Sequence, residues 1–167
     1  MAEIFDDAAR TVLVGIAATV MLDAWTLLRT RVLRVPAPDY GLVGRWIAHL
    51  ARGRFRHDSI AASRRVRAER AIGWSAHYII GIVFAAALPA LWGPEWLRDP
   101  TLAPALVVGI GSVAAPFALM QPGMGAGFAA SRTPRPAAAR VQSLVTHAVF
   151  GLGLYLAAQA LALPAQG

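Results

Sequence analysis

The segment that decides the fold is Ala71-Ile-Gly-Trp-Ser-Ala-His-Tyr-Ile-Ile-Gly-Ile-Val-Phe-Ala-Ala-Ala-Leu-Pro-Ala-Leu-Trp92, an apolar run without Asp, Glu, Lys or Arg. About 20 apolar residues are enough for a helix to cross the hydrocarbon core of a bilayer. Comparable runs occupy residues 11–28, 101–121 and 141–163. We therefore predict an all-α protein, a single integral membrane domain over residues 1–167 in which four transmembrane helices form a bundle.

The composition supports a membrane protein. Hydrophobic residues make up 57% of the chain and charged residues only 15%, against about a quarter in ordinary soluble domains. The first apolar run is interrupted by Asp23, and the acidic flank before it lacks the basic start of a secretory signal, so we predict a retained helix. The absence of cysteine excludes disulfides, thiolate metal sites and cysteine nucleophiles.

The arginines predict the orientation. All sixteen basic residues are arginine; eleven lie between the first two runs, three lie between the last two, and only Arg10 and Arg98 lie on the other side. By the positive-inside rule, we expect both basic loops to be cytoplasmic and both termini to lie outside. This distribution explains the net charge of +7 better than nucleic-acid binding does, so we expect no nucleic-acid partner.

Residues 29–70 form the large cytoplasmic loop. Within it, Leu42, Val43, Trp46, Ile47 and Leu50 recur at helical spacing, which predicts a short amphipathic helix on the membrane surface. Anionic lipid headgroups are the expected partners of this loop, since arginines attract them at about 1 kcal/mol each. The candidate lipid-surface residues are Arg45, Trp46, Arg52, Arg54 and Arg56. In the third run, Pro116 predicts a kink because it cannot donate to the carbonyl of Ser112.

Three ionisable side chains within the runs form the candidate site. Asp23 stands six residues before Arg29, while His77 and His147 each stand seven residues after an arginine. At 1.5 Å per helical residue, all three lie roughly 10 Å inside the cytoplasmic boundary. Each also lies on a stripe of small residues at four-residue steps, which favours close helix packing toward the bundle interior. Gln121, at the membrane edge, is a further ligand-binding candidate.

Three classes of function remain open. The first is binding or transport of a small ligand, ion or proton by Asp23, His77 and His147. Four spans enclose little volume, so transport would require a homo-oligomer. The second is a redox component in which His77 and His147 bind haem or a transition metal, alone or in a His-His-Asp site. The third is a membrane-embedded enzyme or a structural assembly subunit. No motif supports catalysis, and hydrogen-bond glue between helices is the alternative role of these side chains.

Several longer motifs are specific enough to carry a family resemblance. They are Asp39-Tyr-Gly-Leu-Val-Gly-Arg-Trp46, Gly53-Arg-Phe-Arg-His57, Gly73-Trp-x-x-His-Tyr78, Met120-Gln-Pro-x-Met-Gly-Ala-Gly-Phe-Ala-Ala-Ser-Arg132 and Thr146-His-Ala-Val-Phe-Gly151. With these motifs the chain resembles a family of small bacterial four-helix membrane proteins known only as a domain of unknown function. The resemblance implies an inner-membrane location and a four-helix architecture, and it implies no substrate, cofactor or catalytic residue.

Overall fold

The structure is a computed structural model that describes residues 1–162, apart from the side chain of Ala2. Its α-helices are α1 (Ala2–Leu33), α2 (Tyr40–Leu50), α3 (Glu69–Trp92), α4 (Leu102–Gly111), α5 (Gln121–Met124) and α6 (Pro136–Ala162). Residues 1–162 otherwise form turns and short 3₁₀ or π-helical segments and contain no strand. The predicted all-α class is confirmed. The predicted end of the fourth span at Leu163 lies outside the described residues.

Four helical stretches are long and apolar enough to cross a membrane, as predicted. They are Glu3–Leu33, Glu69–Trp92, Leu102–Met124 and Pro136–Ala162. Only 22% to 33% of the apolar part of each stretch is buried inside the protein. The exposed apolar side chains include Ile16, Val20, Leu27, Ile79, Val83, Leu91, Val107, Leu152 and Leu156. Apolar exposure on this scale is unusual for a water-soluble monomer and is compatible with a multi-pass membrane protein.

The end of α1 and the start of α2 follow from local sequence chemistry. Arg34 caps α1 in the left-handed conformation with φ of 53°, and Pro36 and Pro38 cannot continue the helix. Asp39 then caps α2, because its Oδ1 accepts a hydrogen bond of 2.8 Å from the amide of Gly41. The predicted amphipathic helix in the loop is therefore present.

The third span is irregular where Pro116 predicts a kink. Helix α4 ends at Gly111, and the segment Pro116–Met120 is π-helical. The amide of Gln121 donates to the carbonyl of Pro116, five residues back, in place of the usual four. Because proline has no amide proton, the ordinary ladder is broken at this point, and the wider turn restores backbone pairing after it.

The described residues divide into two compact units. The first consists of Met1–Ala37, Tyr78–Ser112 and the chain from Val145 on, and the second of Pro38–His77 and Val113–Leu144. The first unit has an apolar core in which Val14, Ala18, Leu88, Leu97 and Leu154 are at most 2% exposed.

Glycines allow close helix contacts in the first unit. A Cβ atom on Gly15 would lie 2.6 Å from the Cα of Ile82, and one on Gly109 would collide with the backbone of Gly151. These positions therefore exclude any larger side chain without movement of the backbone. Helices in membranes commonly associate through small residues in this way, since close backbone approach increases van der Waals contact.

The second unit is held together by α2, the loop after it and a glycine-rich turn, residues 121–127, which includes the short helix α5. Gly44 on α2 and Gly73 on α3 mark a close crossing, because a Cβ on Gly44 would lie 2.6 Å from the amide nitrogen of Gly73. The amides of His57 and Ile60 donate to the carbonyls of Gly123 and Met124 at 3.0 and 3.1 Å. These two hydrogen bonds attach the loop to the glycine-rich turn.

Candidate functional site

Asp23 is positioned by the close packing of α1 and α3 in the first unit. Its Oδ2 accepts a hydrogen bond of 2.9 Å from the hydroxyl of Tyr78. One helical turn before Asp23, Thr19 is 1% exposed and donates to the carbonyl of Gly15. A Cβ on Gly81 would collide with the Thr19 hydroxyl, so this glycine lets the helices approach. For Thr19, Gly15 and Gly81, the prediction that the small residues face other helices is confirmed.

His147 lies on α6 and contacts the end of α4. Its Nδ1 lies 2.7 Å from the Oγ of Ser112, which is 3% exposed and donates to the carbonyl of Gly109 at 2.6 Å. The serine hydroxyl has one proton, and the Gly109 carbonyl accepts it. The imidazole must therefore be the donor in the hydrogen bond between Ser112 and His147, so we assign that proton to Nδ1. The neutral ring then keeps the lone pair of Nε2 for another donor.

His77 belongs to the second unit, where it lies in an aromatic cluster with Tyr40 and Trp74. The ring centroids of Tyr40 and His77 are 4.4 Å apart, and those of Tyr40 and Trp74 are 4.5 Å apart. The Tyr40 hydroxyl also lies 3.2 Å from Nε2 of His77. Tyrosine thus orients the imidazole by both ring contact and hydrogen bonding.

Each predicted site residue has a hydroxyl group among its partners: Tyr78 for Asp23, Tyr40 for His77 and Ser112 for His147. Tyrosine and serine hydroxyls that fix these groups were not among the residues identified from the sequence. The meeting of the three ionisable side chains at one place stays a prediction.

Gln121 and two residues of α1 contain buried polar atoms that lack a hydrogen-bond partner within residues 1–162. These atoms are Oε1 of Gln121, Nε1 of Trp25, and Nε and Nη1 of Arg29. Arg29 is 6% exposed, although the sequence places it at the start of a surface loop. Its burial was not predicted, because position beside an apolar run does not specify which side of the helix is covered by protein.

Arg45, a predicted lipid-surface residue, is buried at 4% exposure and faces protein acceptors. Its Nε and Nη2 donate to the two carboxylate oxygens of Glu69 at 2.8 and 2.9 Å. Its Nη1 donates to the carbonyls of Ile60, Ala61 and Ser63 at 3.1 to 3.2 Å. The hydrogen bonds to Glu69 raise the pKa of the Arg45 guanidinium above its ordinary value, against the opposing effect of burial. This arginine organises the loop.

The other lipid-surface candidates differ from Arg45. Arg52, Arg54 and Arg56 are exposed and keep their predicted availability to anionic headgroups. Trp46 is half-buried, and its indole N–H donates to the carbonyl of Phe55 at 2.9 Å. The tryptophan thus closes the loop onto α2, which periodicity alone did not predict.

A pair of histidines in the second unit was also missed. His49 and His57 are 9% and 5% exposed, and Nδ1 of His49 lies 3.0 Å from Nε2 of His57. The two residues are separated by the turn at Gly53, which has φ of 78°. The periodicity of α2 does not extend through such a turn, so the pairing could not be predicted from spacing.

Residues 1–162 contain no group of three or more His, Asp or Glu side chains that could hold a metal ion. The His-His-Asp metal site and axial haem ligation by His77 and His147, considered in the sequence analysis, stay alternative predictions.

Comparison with known families places the chain by its sequence. The model of one family, described as "Protein of unknown function (DUF2938)", matches residues 12–161. The match includes the whole of the second and third candidate spans and most of the first and fourth, and it confirms the resemblance to a family of unknown function. The comparisons with curated proteins and with solved structures gave no match.

Proposed function

The chain belongs to this DUF2938 family, and we propose that it is a multi-pass protein of the bacterial cytoplasmic membrane that binds and passes a proton or small cation through Asp23. The observation that carries the proposal is the 2.9 Å hydrogen bond from Tyr78 to the Asp23 carboxylate inside the candidate spans. Both termini lie outside in this proposal, and the arginine-rich loop faces the cytoplasm.

The physical argument rests on the energetic penalty of a carboxylate in a bilayer. A charged side chain at such a depth is expensive, and proteins keep one there mostly to bind or move a charge. Binding a proton or a monovalent cation removes that penalty reversibly. The Tyr78 hydroxyl stabilises the ionised carboxylate between binding events, because hydrogen bonds to charged groups contribute about 1.5 to 3 kcal/mol.

His147 supplies a second group of suitable chemistry in the same unit. With Nδ1 assigned as the donor to Ser112, Nε2 is the nitrogen that takes up and releases a proton. His77, oriented by Tyr40, is the third group that we include from the sequence pattern. A haem or metal redox component is the alternative function, and a structural assembly subunit is the next.

The test is proton flux into proteoliposomes that hold a pH-sensitive dye, driven by an imposed membrane potential. We expect Asp23→Asn, which keeps the side-chain shape but cannot ionise, to reduce the flux to that of protein-free vesicles. Tyr78→Phe should lower it about tenfold, the loss expected for one hydrogen bond to a charged group. Sodium and potassium flux are measured in parallel, because a cation site would respond to the same variants.

The matched control is Tyr155→Phe, which removes a hydroxyl from the same unit. That hydroxyl accepts only a 3.2 Å hydrogen bond from Gln159 among the contacts described for it, so we expect flux within about twofold of the unchanged protein. Unchanged proton and cation flux in Asp23→Asn, with a normal unfolding midpoint, would rule out the proposal and leave the structural role.

A further inference from the structure

The buried pair His49–His57 has a hydrogen-bond pattern that determines how many protons it holds. The outer nitrogens face backbone carbonyls: Nε2 of His49 lies 3.0 Å from the oxygen of Arg64, and Nδ1 of His57 lies 3.2 Å from the oxygen of Gly123. The inner nitrogens, Nδ1 of His49 and Nε2 of His57, lie 3.0 Å from each other.

The hydrogen bonds of these four nitrogens require three protons, whereas two neutral imidazole rings have only two. A carbonyl oxygen only accepts, so each outer nitrogen must carry a proton. A neutral imidazole has a single N–H, and both inner nitrogens would then present lone pairs to each other. Two lone pairs at 3.0 Å repel, whereas an N–H···N hydrogen bond fits this distance.

We propose that His49 and His57 form a proton-binding site that holds one proton between their inner nitrogens, so that the pair carries a single positive charge. The site joins the end of α2, the loop after it and the glycine-rich turn. A bridging zinc ion fits less well, because two tetrahedral bonds of about 2.0 to 2.1 Å place the nitrogens about 3.3 to 3.4 Å apart, farther than the 3.0 Å between these two.

The surrounding charges are mostly positive and do not supply a counter-ion. The charged side chains on the contributing segments are Arg45 on α2, Arg52, Arg54, Arg56 and Asp58 around His57, and Arg64, Arg65 and Arg67 before α3. Arg45 is bound by Glu69, the first residue of α3. The glycine-rich turn, residues 121–127, contains no charged residue. The shared proton is therefore held by the hydrogen bonds of the pair in a mostly cationic environment.

Release of the proton has a structural consequence. His57 is attached to the turn by its ring and by its backbone, since its amide also donates to the Gly123 carbonyl at 3.0 Å. Without the shared proton, the inner lone pairs repel and the loop separates from the turn more often. The shared proton thus helps to keep the loop attached to the turn.

The direct test is ¹⁵N NMR of the full chain in nanodiscs with ¹⁵N-labelled histidine. The chain has four histidines, so the spectrum is simple, and His147→Gln and His77→Gln assign the other two. At about pH 5, within the range where histidine is charged, we expect N–H signals from both outer nitrogens and a scalar coupling between the two inner nitrogens across the shared proton. Two lone-pair signals from the inner nitrogens at this pH, or a lone-pair signal from an outer nitrogen, would overturn the proposal.

Discussion

At the scale of single residues, the arginines of the basic loop differ in whether their charged groups are buried or exposed. Arg45 and Arg52 lie seven positions apart in one basic loop, and nothing in their local sequence separates them. The structure buries Arg45 against Glu69 and three carbonyls and leaves Arg52 exposed. A buried charge needs a complete set of partners, because its desolvation is not otherwise compensated. We therefore expect the stability of the loop to depend on Arg45 and not on its neighbour.

This expectation is tested by matched substitutions. Arg45→Met should lower the thermal unfolding midpoint clearly, since it removes five hydrogen bonds and leaves the Glu69 carboxylate without its partner. Arg52→Met, which removes the same charge from an exposed site, should change stability by no more than about 0.5 kcal/mol. The double variant Arg45→Met/Glu69→Met should lose less than Arg45→Met alone, because no unpaired charge remains. Equal midpoints for Arg45→Met and Arg52→Met would refute the role assigned to Arg45.

The sequence predicts a depth for Asp23 and His147, which stays a prediction, but it does not predict their partners. Helical rise and the flanking arginines predict how far Asp23 and His147 lie from the cytoplasmic boundary of the membrane. Small residues at four-residue steps predict which side of each helix packs against another helix. Tyr78 follows His77 directly and points about 100° away around the helix, so the pattern that selected one did not select the other. Ser112 directly follows the last residue of α4, and nothing in the local sequence indicates that it contacts His147. Partners of this kind depend on contacts between elements distant in sequence, which periodicity does not contain.

At the scale of elements, hydropathy predicted the spans well and their ends less well. Helix α1 continues to Leu33, five residues beyond the predicted end of the first span at residue 28. Hydropathy marks the part of a helix that is apolar, whereas the helix ends where its backbone changes, here at Arg34 in the left-handed region. Pro116 was predictable because its missing amide proton is a property of the residue itself.

The glycines of α4 allow a test of packing between elements. A Cβ on Gly109 would collide with Gly151 and lie 2.9 Å from the carbonyl of His147, whereas one on Gly111 would meet nothing within 4 Å. We expect Gly109→Ala to destabilise the protein by about 1 to 3 kcal/mol, the usual range for overpacking. Gly111→Ala should be neutral or stabilise it by about 0.5 to 1 kcal/mol, because alanine restricts the unfolded chain.

The measurement is the free energy of unfolding in mixed micelles titrated with a denaturing detergent, with both variants compared under the same conditions. Gly109→Ala should also disturb the Ser112–His147 hydrogen bond, because Ser112 donates to the Gly109 carbonyl and the new methyl group would press on His147. A Gly109→Ala variant as stable as Gly111→Ala would mean that α4 and α6 are farther apart than described.

At the scale of the whole molecule, two independent features are compatible with a multi-pass membrane protein. Four long apolar helices expose most of their apolar surface, and the arginines are concentrated in two of the three connections between them. The first feature predicts that lipid surrounds the helices, and the second predicts which end of each helix stays in the cytoplasm. Burial of Arg45 in a folded loop does not weaken the second prediction, since the positive-inside rule counts the charge near the spans and not its later partners.

The orientation is testable because the chain contains no cysteine, so each introduced cysteine is the single reactive thiol. Ala62, in the basic loop, and Asp99, between α3 and α4, are both exposed. In intact cells, we expect a membrane-impermeant maleimide to label Asp99→Cys at once and to label Ala62→Cys only after permeabilisation, since translocating the arginine-rich loop is strongly disfavoured. The opposite pattern would invert the orientation and would place the proton site of His49 and His57 outside the cell. Labelling of both variants in intact cells would contradict a membrane crossing by α3.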